Sequence, residues 1–168
     1  CSYPEIVIYS VSLEKYHLWR NEGRWDLIIR DLAGAGKSLE RAGAEIGLIA
    51  TNTMHKVFGE VQRELHLPLV NLLDVVRERV IDLDLKRVGL IGTRFTMSEP
   101  FYRDHLESAG IGVAVPDAED QEVIHVIIEE ELVKGVFTDS ARRKFLRVIR
   151  GLVDAGAEPR ALDKYGRR

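Results

Sequence analysis

Five short apolar runs alternate with segments whose apolar residues recur at helical spacing, and this alternation constrains the chain more than any other feature. The runs are Glu5–Val11, Ile46–Ala50, Leu67–Val70, Arg87–Gly92 and Ile111–Val115. Each is short and mostly aliphatic, so each reads as a strand, and Glu5–Val11 and Ile46–Ala50 as buried ones. Between the first two, Trp25, Ile28, Ile29, Leu32 and Leu39 follow a helical spacing that stops before Gly43, a helix-ending glycine. A second helix carries Val57, Phe58, Val61 and Leu65, and further helices are expected over Leu73–Val80, Ser98–Ser108, Gln121–Leu132 and Thr138–Val153. Strands alternating with helices give an α/β fold with small, mostly parallel sheets flanked by helices on both faces.

The chain also repeats a helix ending. Leu39-Glu40-Arg41-Ala42-Gly43-Ala44-Glu45 resembles Leu152-Val153-Asp154-Ala155-Gly156-Ala157-Glu158. The first copy leads into Ile46–Ala50; the second meets Pro159 and a charged stretch that cannot form a central strand. The second copy has lost the strand and the polar turn that follow the first.

Charge and composition remove several function classes. Lys and Arg total 24 against 27 Asp and Glu, a net charge of -3, which provides no general pull toward nucleic acid or an anionic membrane surface. No apolar run approaches the roughly 18 residues of a membrane span. One cysteine among 168 residues forms no internal disulfide and suits a reducing, cytoplasmic setting. That cysteine is Cys1, so the sequence reads as one lacking its native start; lipidation at Cys1 would call for a flexible tether, and Glu5–Val11 follows almost at once.

In open parallel sheets ligands sit beyond the carboxyl ends of the strands, which directs attention to Thr51-Asn52-Thr53 and Thr93-Arg94-Phe95-Thr96. Short hydroxyls and main-chain N–H groups at a helix start can hold a carboxylate, and each turn alone also reads as an ordinary helix cap. Ala33-Gly34-Ala35-Gly36-Lys37-Ser38 is no phosphate loop, because Asp31 stands where its first glycine belongs. The histidines His17, His55, His66, His105 and His125 are dispersed, without metal-ligand spacing. Lys134 beside Gly135 fits a helix end on dipole grounds alone.

Three segments together carry a resemblance: Ala50-Thr51-Asn52-Thr53-Met54-His55-Lys56-Val57, Leu90-Ile91-Gly92-Thr93-Arg94-Phe95-Thr96-Met97 with Phe101-Tyr102, and Ile128-Glu129-Glu130-Glu131-Leu132-Val133-Lys134-Gly135. In order and spacing the chain resembles the aspartate/glutamate racemase family over residues 5 to 158. The resemblance implies two pseudo-symmetric lobes, residues 1–85 and 86–158 with 159–168 as a non-family tail, in agreement with the repeated helix ending; the lobes face each other across an active-site cleft, and the resemblance further implies a small-molecule amino-acid substrate, a homodimer, and racemisation with neither pyridoxal phosphate nor metal. One lobe then supplies a base that removes the α-proton and the other an acid that returns one from the opposite face. Two thiols usually fill these roles. Position 51 of this sequence carries Thr51 instead, the expected catalytic residue of the first lobe. Asn52 and Thr53 would hold the substrate's α-carboxylate with Thr93 and Thr96, and Lys134 would pair with its side-chain carboxylate.

Two departures accompany the match. The resemblance calls for a Gly-Cys-Thr-Glu segment just after Glu158 and for a strand with a Gly-Gly-Met-Ser-like turn before Cys1; the sequence shows neither. The expectation is a racemase chain truncated at both ends and short of one of its two bases. Its rivals are a carboxylate-binding domain without chemistry and an enzyme acting on hydantoin, maleate or arylmalonate on the same scaffold.

Overall fold

The computed structural model describes residues 4–159. Its packing divides between Leu72 and Leu73 into two compact units. Leu73, Val80, Leu83 and Leu85, which the sequence reading places in the first lobe, belong to a core cluster of the second unit.

The first unit opens with Glu5–Val11, which forms no strand and is exposed along its length. The buried strand expected here is therefore not formed: nothing among the described residues pairs with it or covers it. Helix α1, Leu13–Asn21, follows, with Ser12 as its N-cap accepting from the Lys15 N–H at 3.4 Å. Sequence spacing gave no sign of α1. It is fastened to helix α2, Trp25–Arg41, through Asp31, which accepts from Lys15 Nζ at 2.9 Å and from the Tyr16 hydroxyl at 2.8 Å. Burial, and the bond to Asp31, push the Tyr16 hydroxyl well above its ordinary pKa.

Helix α2 ends as expected, with Gly43 in the left-handed region at φ 87°. The glycine-rich run lies inside it, where a Cβ on Gly36 would come within 2.4 Å of Leu65 Cδ1, so the residue serves close packing. Strand β1, Gly47–Leu48, then pairs in parallel with β2, Leu69–Val70, in the register Gly47 to Leu69 and Leu48 to Val70. The buried strand expected over Ile46–Ala50 is thus shorter and not buried: Ile46 and Leu48 are exposed, because nothing described packs over them. Between them come a 3-10 turn, Thr53–Val57, and helix α3, Phe58–Arg63. Tyr16, Ile28, Met54, Val57, Val61 and Leu65 form the core.

Helix α4, Leu72–Asp82, leads to the second unit's sheet, β3 at Arg87–Gly89 and β4 at Gly112–Ala114, again parallel. Helices α5, Arg94–Ser98, and α6, Pro100–Glu107, connect the strands; α7, Ala118–Glu130, and α8, Asp139–Asp154, follow. Val88 and Val113 pack on the cluster of Leu73, Leu90, Tyr102 and Leu106. The next residues along, Gly89 and Ala114, meet the other cluster, which holds Leu152 and Ile124. Because successive strand residues point to opposite faces, helices cover both sides of this sheet.

Thr138 caps α8 as expected, accepting from the Ala141 N–H at 3.0 Å. After Gly156, also left-handed at φ 93°, the Glu158 N–H donates to the Arg87 carbonyl at 2.9 Å. Nearly all of the expected tail, residues 160–168, lies outside the described residues. The fold is helix-rich α/β with small parallel sheets.

Candidate functional site

In the first unit the chain turns sharply after β1. The Thr51 N–H donates to the Ile49 carbonyl at 2.9 Å, and the His55 N–H to the Asn52 carbonyl at 3.0 Å. Thr51 and Asn52 are exposed, whereas Thr53, Met54 and His55 are buried. The three expected site residues therefore share one turn, with two of them at the surface.

His55 holds this turn in place. Its Nδ1 lies 2.8 Å from the Thr51 carbonyl, and its Nε2 accepts from the Leu72 N–H at 3.1 Å. A carbonyl can only accept, so Nδ1 carries the proton and Nε2 must be bare: the ring is neutral. Burial lowers the imidazole pKa, and hydrogen bonding to the carbonyls of Thr51 and Asn52 offsets this only in part. The ring also stacks on Phe58, with centroids 5.5 Å apart and planes 8° apart. A single buried side chain thus ties the turn after β1 to the chain just beyond β2. The sequence reading left His55 among dispersed histidines; its signal was the four-residue spacing from Thr51.

In the second unit the Leu90 N–H donates to the Ala114 carbonyl at 2.9 Å, after which the chain enters α5. The expected polar turn is itself one short helical turn, Arg94–Ser98, with Thr93 extended in front of it. The Thr93 and Thr96 hydroxyl oxygens are 3.3 Å apart. Thr96 is buried, and Thr93 is half-buried. A Cβ on Gly92 would lie 3.0 Å from Thr96 Cβ and Cγ2, so the glycine permits Thr96 to tuck in. Next to this turn, Arg94 forms an exposed ion pair with Glu122 at 2.5 Å.

Lys134 ends a 3-10 turn, Leu132–Lys134, ahead of Gly135, which is left-handed at φ 72°. Its Nζ lies 2.6 Å from Glu130 Oε2, one helical turn back, and both groups are exposed. The hydrogen bond from Lys134 holds the Glu130 carboxyl below its ordinary pKa. Among the described residues no cluster of His, Cys, Asp and Glu could hold a metal ion, and no helix is long and apolar enough to cross a membrane.

The sequence profile of the Asp/Glu/Hydantoin racemase family matches residues 3–159. The glutamate racemase of Aquifex aeolicus (strain VF5) is 25% identical over 134 residues, 77% of this chain and 50% of that protein. A crystal structure of a candidate Asp/Glu racemase from Yersinia pestis superposes with a TM-score of 0.80 at 36% identity, over 90% of this chain and 66% of that one. An aspartate racemase homologue from Pyrococcus horikoshii OT3 gives a TM-score of 0.78 at 37% identity, over 94% and 68% respectively. The chain spans about half the length of the glutamate racemase it matches. With a profile match over nearly its whole length and two structural relatives above 35% identity, the chain belongs to the Asp/Glu/Hydantoin racemase family.

Proposed function

We propose that this chain carries part of the machinery of a cofactor-independent racemase for aspartate or glutamate, with Thr51 as the proton-transfer residue of one face. The observation that carries this reading is the exposed Thr51-Asn52 pair after β1, fixed from below by a neutral, buried His55. In the reaction a base takes the α-proton, the bond's electron pair is left on Cα and spreads into the α-carboxylate, and an acid returns a proton from the opposite face. Hydrogen-bond donors aimed at that carboxylate stabilise the charge as it grows. Asn52 and Thr53 in the first unit, with Thr93 and Thr96 in the second, are assigned this role.

A hydroxyl is a poor acid and base unless its surroundings activate it, so Thr51 works more slowly than a thiol. Lys134 is assigned to the substrate's distal carboxylate, which must displace Glu130 from it.

The test is to incubate the protein with L- and D-aspartate and glutamate in D₂O and follow the α-proton by NMR. Exchange from at least one enantiomer is expected, with a loss of at least about 100-fold in Thr51→Ala. Equal exchange by Thr51→Ala would clear that residue. Saturable binding by calorimetry without any exchange would leave a carboxylate-binding domain instead.

A further inference from the structure

The turn that carries Thr51 and Asn52 is held by a side chain able to take up a proton, and the two bonds that side chain makes respond to the proton differently. His55 is 4% exposed, and each of its ring nitrogens has one task. Nδ1–H donates to the Thr51 carbonyl at 2.8 Å, while bare Nε2 accepts from the Leu72 N–H at 3.1 Å. Leu72 is the first residue of α4, so its N–H belongs to the helix end that finds no partner within the helix. A proton on Nε2 leaves Nδ1–H facing its carbonyl. At Leu72 the same proton sets one N–H against another and places a cation at the positive end of the α4 dipole.

We propose that His55 is a positioning residue that works as a proton-operated latch: with Nε2 bare it ties the Thr51–Asn52 turn to the start of α4, and with Nε2 protonated that tie opens while the tie to Thr51 remains. The latch governs a reaction only through Thr51, and so rests on the assignment of that residue to proton transfer. Once released from α4, the turn keeps its own short bonds, from the Thr51 N–H to Ile49 and from the His55 N–H to Asn52, but loses the fixed point that aims it. A reacting group moved by about 1 Å can lose as much as about 100-fold in rate with its own chemistry unchanged. The surroundings of the ring favour the closed state. Burial opposes the charged imidazole and outweighs the two main-chain carbonyls that favour it, and no carboxylate acts beside them. Phe58 stacks on one face of the ring. The neighbouring cation, Lys56, lies 4.5 Å over the Trp25 ring, and the acidic residue of α4's first turn, Asp74, is engaged by Arg77 and His105, each at 3.0 Å. The acid limb of the exchange reaction therefore belongs to a residue that never touches substrate.

The experiment follows α-proton exchange from L- and D-aspartate across the range from about pH 5 to about pH 8, beside an NMR titration of the His55 ring and the Leu72 amide in the full chain. Two variants fix the latch in its two states. In His55→Gln the side-chain oxygen can accept from the Leu72 N–H without titrating; in His55→Asn the side-chain amide can donate to the Thr51 carbonyl but is too short for Leu72. Exchange by the unaltered chain is expected to fall below about pH 6.5, with the Leu72 amide shifting as the ring takes up its proton. His55→Gln should stay within about threefold of the unaltered chain at pH 7.5 and lose the acid-side fall, whereas His55→Asn should be at least about tenfold slower at every pH. The proposal is overturned if His55→Gln keeps the acid-side fall, if the two variants exchange at equal rates, or if the Leu72 amide ignores the ring. Absence of exchange in every form would sink the proposed reaction instead, and the titration then decides the latch by itself: a Leu72 amide that follows the ring supports it, and one that does not overturns it.

Discussion

In the first unit the helix ending at Gly43 leads into β1, where the Gly47 N–H donates to the Pro68 carbonyl at 2.9 Å; in the second the helix ending at Gly156 leads to Glu158, whose N–H donates to the Arg87 carbonyl at the same 2.9 Å. The two glycines have nearly the same left-handed φ, 87° and 93°. What differs is the cover. In the second unit helices bury Leu90, Ile111 and Ala114, whereas in the first Ile46 and Leu48 stand open beside an unpaired Glu5–Val11. A shared helix ending therefore fixes where the chain re-enters the sheet. How deeply a strand is buried depends instead on which elements lie alongside it.

The largest test of this contrast uses two leucines. Leu106 is 1% exposed and central to a core cluster, while Leu48 is 67% exposed. Leu106→Ala should cost about 3 kcal/mol, from lost burial and the cavity left behind. Leu48→Ala should cost less than about 0.5 kcal/mol. Denaturant titration with residue-level hydrogen exchange measures both. Comparable losses would mean that β1 is covered and that the contrast is false.

The same contrast explains what the sequence could reveal. Helices α2, α7 and α8 lie within a few residues of their expected positions because their periodicity and caps, Gly43 and Thr138 among them, are local. Helix α1 was invisible because its pattern misleads: Leu13 and Leu18 are exposed, while Arg20 is buried. The expected five-residue strand Ile46–Ala50 pairs over Gly47–Leu48 alone, since a strand is defined only as far as a partner runs beside it. At the candidate site the threonine turns were legible because each follows an apolar run. The work of His55 was not, since one of its partners, the Leu72 N–H, lies 17 residues further along.

The second test concerns the two turns. The first is closed by an imidazole and the second by a pair of hydroxyls, which do not titrate near neutral pH. In the folded chain His55 has a pKa below its ordinary 6.5. The unfolded chain then binds the extra proton first, so the clamp's stability is complete above about pH 6.5 and is lost as pH falls from there toward the folded value. His55→Ala should cost about 2 kcal/mol at pH 7.5 and flatten that acid-side slope. In the unaltered chain, protection of the Leu72 amide should decline below about pH 6.5 while that of Met97 holds. Parallel decline of the two amides would show that the first turn has no titrating clamp of its own.

The smallest expected effect lies at the strand starts, where the units agree. Glu40 accepts from the N–H groups of His66 and Leu67 at 2.6 and 2.7 Å, and Glu158 from those of Lys86 and Arg87 at 2.6 and 3.0 Å. Each carboxylate thus holds two main-chain donors that would otherwise be unpaired at the entry to β2 or β3. The bond from the Leu67 N–H, with help from that of His66 and against a smaller burial effect, keeps the Glu40 carboxyl below its ordinary 4.5. Its stabilisation is therefore present above about pH 4.5 and disappears as pH falls through the lower folded value. Glu40→Gln retains an acceptor oxygen but loses the charge, so its melting temperature should drop slightly at pH 7 and match that of the unaltered chain at pH 3. Glu158→Gln should show a similarly small drop at pH 7, measured alongside by calorimetry. A loss confined to one of the two variants would mean that only one unit depends on its clasp, and the likeness between the two strand starts would then be one of geometry alone.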